Sequence, residues 1–225
     1  SNVIQKFTFA TDANATDVGD LVNSTRYMSG QSSGDNGYTS GGEASGLGFN
    51  PTIEKFAFAS DGNASDIGDL TQSVDRSAGQ SSSVSGYRSG GDNNGTKYNT
   101  IDKFPFSSDS NATDVGDLTT TKSSSSGQSS TASGYSSGGD TGSDTNVIEK
   151  FSFSSDGNAT DVGDLIEVNV LAAGQSSTAS GYVSGGKSDG TARNVIQKFS
   201  FSSDANATDV GNLTLSRFDT CGQQY

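Results

Sequence analysis

Large apolar residues are sparse along this chain, but they return in step. The pattern Ile-x-Lys-Phe-x-Phe occurs five times, with lysines at Lys6, Lys55, Lys103, Lys150 and Lys198, spaced by 49, 48, 47 and 48 residues. In the first copy Val3, Phe7 and Phe9 fall on one face of an extended segment and Ile4 on the other, which predicts a strand over Val3 to Phe9 buried on both faces. Asp17 to Leu21 reads as a second strand, reached through the turn Thr11-Asp12-Ala13-Asn14, whose Asp and Asn suit tight turns. Gly30 to Ser33 and Gly37 to Ser40 read as third and fourth strands with almost no apolar side chains. No segment has a 3.6-residue period, and Ser, Thr and Gly are poor helix formers.

The other markers keep the same period. Asn-Ala-Thr/Ser-Asp-Val/Ile-Gly-Asp/Asn-Leu starts at Asn14, Asn63, Asn111, Asn158 and Asn206, and a Gly-Gln pair follows at Gly30, Gly79, Gly127, Gly174 and Gly222. Gly-Tyr-x-Ser-Gly-Gly appears with Tyr38, Tyr87, Tyr135 and Tyr182, and has no fifth copy after Gly222. Ordered markers at one period identify a repeat architecture. The expected fold is all-β: a five-bladed β-propeller of four-stranded antiparallel blades, formed by one domain over 1–225. The units span 2–49, 50–98, 99–145, 146–193 and an incomplete 194–225. Small side chains belong on the strands crowding the axis, and Phe, Ile and Leu on the outer strands that pack between sheets. A parallel β-helix uses shorter coils than this period.

In this register the N-terminal segment supplies outer strands, and Arg217 to Tyr225 supplies the inner strand of the same blade, so the two ends are expected to close the ring. The last blade lacks a strand. Three solutions stay open: Gln223-Gln224-Tyr225 substitutes for it, the blade has three strands, or the native chain continues.

The order Gly-Gln-Ser-Ser, Gly-Tyr-x-Ser-Gly-Gly, Ile-x-Lys-Phe and Val-Gly-Asp-Leu resembles a kelch-type blade. The double glycines Gly41-Gly42, Gly90-Gly91, Gly138-Gly139 and Gly185-Gly186 stand where kelch repeats carry theirs, although the chain has no tryptophan. The whole chain is more similar to the Asn-Ala-Thr-Asp-Val-Gly-Asp-Leu repeat proteins encoded by marine bacteriophages. The resemblance implies a virion-associated or tail-fibre propeller, at a virion surface or outside the cell.

Composition narrows the chemistry. A net charge of −13, with 13 basic against 26 acidic residues, excludes the clustered cations that a nucleic-acid partner requires. No apolar run reaches the ~20 residues of a membrane helix, so no membrane insertion is expected. The chain has no histidine and a single cysteine, Cys221, so neither a histidine-activated nucleophile nor an internal disulfide is available.

Alternating strands put loops on two faces. One set, Ser-Ser-Asp-x-Asn-Ala-Thr-Asp, is nearly the same in every copy, while the other differs in each: Glu43 to Pro51, Asp92 to Asn99, Asp140 to Thr145 and Lys187 to Arg193 share little, as do Val22 to Ser29, Thr71 to Ser77, Thr119 to Ser126 and Ile166 to Ala173. The variable face carries the candidate binding residues Arg26, Tyr27, Phe49, Arg76, Lys97, Tyr98 and Arg193, since aromatics and Arg anchor interfaces. On the repeated face Asp12, Asp61, Asp109, Asp156 and Asp204 offer an alternative: oxygen ligands for Ca²⁺. Asx-turn chemistry explains them without a metal, and no other cofactor is expected. The lysine of each copy can pair with an Asp17-type carboxylate within its own blade or between blades, in a structural rather than a catalytic role.

The sequence therefore points to a non-enzymatic binding propeller that recognises a cell-surface glycan or protein. The alternatives are a structural module whose partners are neighbouring virion subunits, and a glycan hydrolase using two carboxylates.

Overall fold

The computed structural model describes residues 1–8, 10 and 12–222, and all regular structure among them is β-strand. The first elements are β1 (Val3–Lys6), β2 (Thr16–Asp20), β3 (Thr25–Arg26), β4 (Ser29–Ser32), β5 (Asn36–Ser40), β6 (Glu43–Ala44), β7 (Gly48–Phe49), β8 (Thr52–Ala57) and β9 (Ser65–Asp69). The second repeat gives β10 (Ala78–Ser81), β11 (Ser85–Ser89), β12 (Asp92–Asn93), β13 (Thr96–Lys97), β14 (Thr100–Pro105) and β15 (Thr113–Asp117). The third gives β16 (Ser126–Ser129), β17 (Ser133–Ser137), β18 (Val147–Ser152) and β19 (Thr160–Asp164). The fourth gives β20 (Ala173–Ser176), β21 (Ser180–Ser184), β22 (Lys187–Ser188), β23 (Thr191–Ala192), β24 (Val195–Ser200) and β25 (Thr208–Asn212).

These strands build four antiparallel four-stranded sheets, ordered β4-β5-β8-β9, β10-β11-β14-β15, β16-β17-β18-β19 and β20-β21-β24-β25, while among the described residues β1 pairs with β2 alone. The loops that the sequence left as variable coil hold small hairpins, β6–β7, β12–β13 and β22–β23.

The repeat motifs explain the register. Gly37 lies opposite Phe56, Gly86 opposite Phe104, Gly134 opposite Phe151 and Gly181 opposite Phe199. The phenylalanine ring lies across the glycine, where a Cβ would overlap it. The neighbouring tyrosine reaches into the next sheet: Tyr38 stacks on Phe106, Tyr87 on Phe153 and Tyr135 on Phe201, with ring centroids 4.7, 4.7 and 4.8 Å apart. Such offset aromatic pairs add about 0.5–1.5 kcal/mol each beyond area burial. Isoleucine and leucine of each sheet complete three cores between successive sheets, for example Tyr38, Ile53, Leu70 and Val74 against Phe104 and Ala112.

The first strands of successive sheets stand side by side, β4 next to β10, β10 next to β16 and β16 next to β20. A Cβ on Gly79, Gly127 or Gly174 would overlap the carbonyl oxygen of Gly30, Gly79 or Gly127, so nothing larger than glycine fits. The adjacent glutamine fastens the sheets: Gln31, Gln80 and Gln128 donate through Nε2 to the carbonyls of Tyr87, Tyr135 and Tyr182 in the next sheet, at 3.0, 3.0 and 3.2 Å.

The residue between Ile and Lys links each sheet to the one before. Glu54, Asp102, Glu149 and Gln197 are buried and accept the backbone N–H of Val22, Thr71, Thr119 and Ile166. Two of these carboxylates also meet a buried cation: Arg88 donates to Asp102 at 2.6 Å, and Lys122 pairs with Glu149. Burial lowers the pKa of both cations.

The lysine pairs correct the sequence reading. Lys6, Lys55, Lys103 and Lys150 reach Asp61, Asp109, Asp156 and Asp204 of the next unit, at 2.5–2.9 Å. These are Asp12-type rather than Asp17-type carboxylates. The Asp17-type side chains are occupied locally, each accepting the N–H of the glycine two residues on, as Asp17 does from Gly19. The Asp12-type carboxylates are more than half exposed, so each pair contributes about 0–1 kcal/mol.

Ring closure, expected from the two chain ends, is not made among the described residues. A Cβ at Gly30 or Gly211 would meet nothing within 4 Å, although their counterparts touch the neighbouring unit. The first strand is also shorter than expected and the segment is not buried on both faces: Val3 is 40% and Phe7 46% exposed, whereas Phe104, Phe151 and Phe199, the counterparts of Phe7, are buried in the complete sheets. Among the described residues β1 lacks the tyrosine strand that pairs with β8, β14, β18 and β24 in those sheets. Phe9 and the residues proposed to stand in for that strand, Gln223, Gln224 and Tyr225, lie outside the described residues.

Candidate functional site

One position in each repeat, three residues before the Gly-Gln pair, has a left-handed backbone. Its occupants are Tyr27 (φ 57°), Arg76 (φ 48°), Ser124 (φ 59°), Leu171 (φ 58°) and Asp219 (φ 54°). Backbone hydrogen bonds join them in sequence: Arg76 N–H donates to the Tyr27 carbonyl, Ser124 to Arg76, Leu171 to Ser124 and Asp219 to Leu171, at 2.7–3.0 Å. All five line one cavity of about 330 Å³, with Met28 and Cys221 among its walls.

Left-handed backbone strains a side-chain-bearing residue by about 1–3 kcal/mol, and glycine removes that strain. The chain uses glycine freely at left-handed positions elsewhere, such as Gly41, Gly90, Gly138 and Gly185. At this position it never does. Five different side chains on one repeated backbone form a scaffold with a varied surface.

Electrostatics centre on Tyr27. The Arg76 guanidinium lies 4.4 Å from its ring centroid and that of Arg26 5.4 Å, both within cation–π range. Arg26 is also held by a forked pair with Glu43 at 2.8–3.0 Å, which raises its pKa. Beside Arg76 the Asp75 carboxylate is buried, and neither oxygen has a hydrogen-bond partner; its nearest cation is Arg76, 3.6 Å away. Burial pushes its pKa from 3.8 to about 6, with Asp92 and Glu43 adding to the effect and Arg76 and Arg26 opposing it.

The sign of the pH dependence follows. A carboxyl whose pKa is raised on folding binds its proton more tightly in the folded state, so stability rises as pH falls from about 6 towards 3.8. Above pH 6 the charged form costs up to about 3 kcal/mol. Asp75→Asn is expected to raise Tm at pH 7.5 and to flatten its slope between pH 4 and 7. An unchanged slope in thermal melts across that range contradicts the assignment.

The remaining candidate residues are placed differently. Phe49 is half-buried on β7, opposite Glu43 and so beside the Arg26 pair. Lys97 pairs with Asp140 of the next sheet's loop at 3.2 Å, and Arg193 with Glu167 at 3.1 Å. Tyr98 packs against the first core. The structure thus brings Arg26, Tyr27, Phe49 and Arg76 into one region, and commits Lys97, Tyr98 and Arg193 to ion pairs or packing. In an acidic chain the loop cations find carboxylates on neighbouring loops.

On the opposite face Asp61, Asp109, Asp156 and Asp204 accept the lysine pairs, and Asn63, Asn111, Asn158 and Asn206 accept the N–H of Asp20, Asp69, Asp117 and Asp164 at 3.0–3.1 Å. Among the described residues no three acidic, histidine or cysteine side chains gather to hold a metal ion. Sequence reasoning missed Ser124, Leu171, Asp219 and Asp75. A fixed offset from Gly-Gln was the available signal, but only the backbone shows that the five positions converge.

Compared with known proteins, the chain matches no family model and no curated protein.

Proposed function

We propose that this protein is a five-bladed β-propeller of the binding type, borne on a phage virion or secreted, which recognises a cell-surface glycan or protein through the loop face around Tyr27 and Arg76. Its fifth blade is divided, with β1–β2 on one side and residues 217–222 on the other. The observation that carries the reading is the convergence of five strained, unlike side chains, one per repeat, on a single cavity. Rigid scaffolds with variable loops are where binding residues concentrate. The guanidinium groups of Arg26 and Arg76, held against the Tyr27 ring, offer N–H donors to carboxylates and hydroxyls of a sugar or side chain, and the Tyr27 hydroxyl adds a further donor. The resemblance to marine phage repeat proteins supports the virion setting.

The test is a glycan array probed with soluble monomer, its mass checked by light scattering. Saturable binding to a defined set of glycans is expected, with a loss of about 2 kcal/mol, some thirtyfold, in Tyr27→Ala. Binding that survives in both Tyr27→Ala and Arg76→Ala excludes this face.

A further inference from the structure

Beside β1 lies a cavity of about 540 Å³ lined by Ile4, Lys6, Ser32, Phe56 and Phe58. Among the described residues β1 has one strand partner, β2, so its other edge is open. In the four complete sheets the corresponding edge carries β5, β11, β17 or β21, each with the pattern Gly-Tyr-x-Ser. Those filled positions fix what fits the open one. Their glycine lies opposite the phenylalanine of Lys-Phe, and their tyrosine opposite the lysine. In the first three of these sheets the tyrosine ring stacks on the second phenylalanine of the following sheet and tilts against the first, as Tyr38 does on Phe106 and Phe104, Tyr87 on Phe153 and Phe151, and Tyr135 on Phe201 and Phe199.

At the open position the same register sets a glycine opposite Phe7 and a tyrosine opposite Lys6. The following sheet there is the one containing Phe56 and Phe58. No tyrosine among the described residues stacks on Phe58, which is 45% exposed, whereas its counterparts Phe106, Phe153 and Phe201 are covered.

We infer that the open edge of β1 is a strand-acceptor site for an extended Ser-Gly-Tyr-x-Ser-Gly-Gly segment, which joins β1 by antiparallel β-augmentation and seats its tyrosine on Phe58 and Phe56. The guest's backbone supplies affinity and its tyrosine specificity, as in other strand-addition complexes. An open apolar strand edge also favours unwanted pairing, so a matched occupant protects the fold. This site is separate from the Tyr27 cavity and does not depend on its role.

The test uses a fluorescein-labelled peptide with the sequence of residues 131–140, Thr-Ala-Ser-Gly-Tyr-Ser-Ser-Gly-Gly-Asp, titrated with the whole chain and read by anisotropy. Saturable binding is expected, weakened at least tenfold by Tyr135→Ala in the peptide and by Phe58→Ala in the protein. Phe58 is half exposed, so its variant keeps the wild-type Tm. Hydrogen exchange at Val3–Lys6 slows on binding, and Tyr27→Ala leaves the affinity unchanged. No saturable binding, or binding indifferent to both substitutions, overturns the inference. Concentration-dependent dimerisation that excess peptide does not reverse overturns it too, and assigns the edge to a second copy.

Discussion

Arg88→Met is expected to be among the most destabilising single substitutions in the chain, lowering the unfolding free energy by about 3–5 kcal/mol. Arg88 and Asp102 are both fully buried and joined at 2.6 Å, and Arg88 also donates to the Gly90 carbonyl. Removing the cation strands a carboxylate with no access to water. That carboxylate cannot relax outward, because it also holds the backbone N–H and hydroxyl of Thr71 in the preceding unit. Arg88→Met combined with Asp102→Asn removes the stranded charge while keeping an acceptor for Thr71, and is expected to recover more than half of the loss. Denaturant unfolding of the two single variants and the double variant measures this. A loss below about 1 kcal/mol for Arg88→Met would mean that water reaches the pair. The third sheet repeats the device with Lys122 and Glu149, so the same cycle there serves as an internal check.

The second large effect comes from the first strands of the successive sheets. Gly127→Ala places a methyl group on the carbonyl oxygen of Gly79, and because that neighbour is backbone the overlap cannot be relieved by a rotamer change. The expected cost is about 3 kcal/mol or more. Gly30→Ala is the control. The motif position is the same, but nothing lies within 4 Å of its Cβ, so the change is expected to be neutral within about 0.5 kcal/mol. Equal melting temperatures for the two variants would refute both the crowding between successive first strands and the gap beside Gly30.

The sequence made the periodic part of this structure legible. Spacing alone divided the strands, because each motif has a job that recurs: glycine under a phenylalanine ring, tyrosine across to the next sheet, glutamine to the next sheet's carbonyl. What passes from one loop or unit to another was hidden. The Asp12-type partners of the lysines were missed because the pairing depends on how far one unit is rotated against the next. The left-handed position was missed because Tyr, Arg, Ser, Leu and Asp share no propensity for it, and only the ladder from Arg76 to Asp219 imposes it. Asp140, Glu43 and Glu167, which hold Lys97, Arg26 and Arg193, sit in loops too variable to align. Of the seven candidate side chains, composition could pick out the large and cationic ones. It could not separate those gathered around Tyr27 from those neutralised by carboxylates on other loops.

The proposal that the Tyr27 region is a recognition surface is tested most directly by whole-cell binding isotherms of fluorescent monomer. Wild type would be compared with Tyr27→Ala combined with Arg76→Ala, both first shown to melt at the same temperature. Saturable wild-type binding that falls at least tenfold in the double variant is the predicted result. Equal binding by the two proteins, or no binding by a folded wild-type monomer to any cell tested, would contradict it.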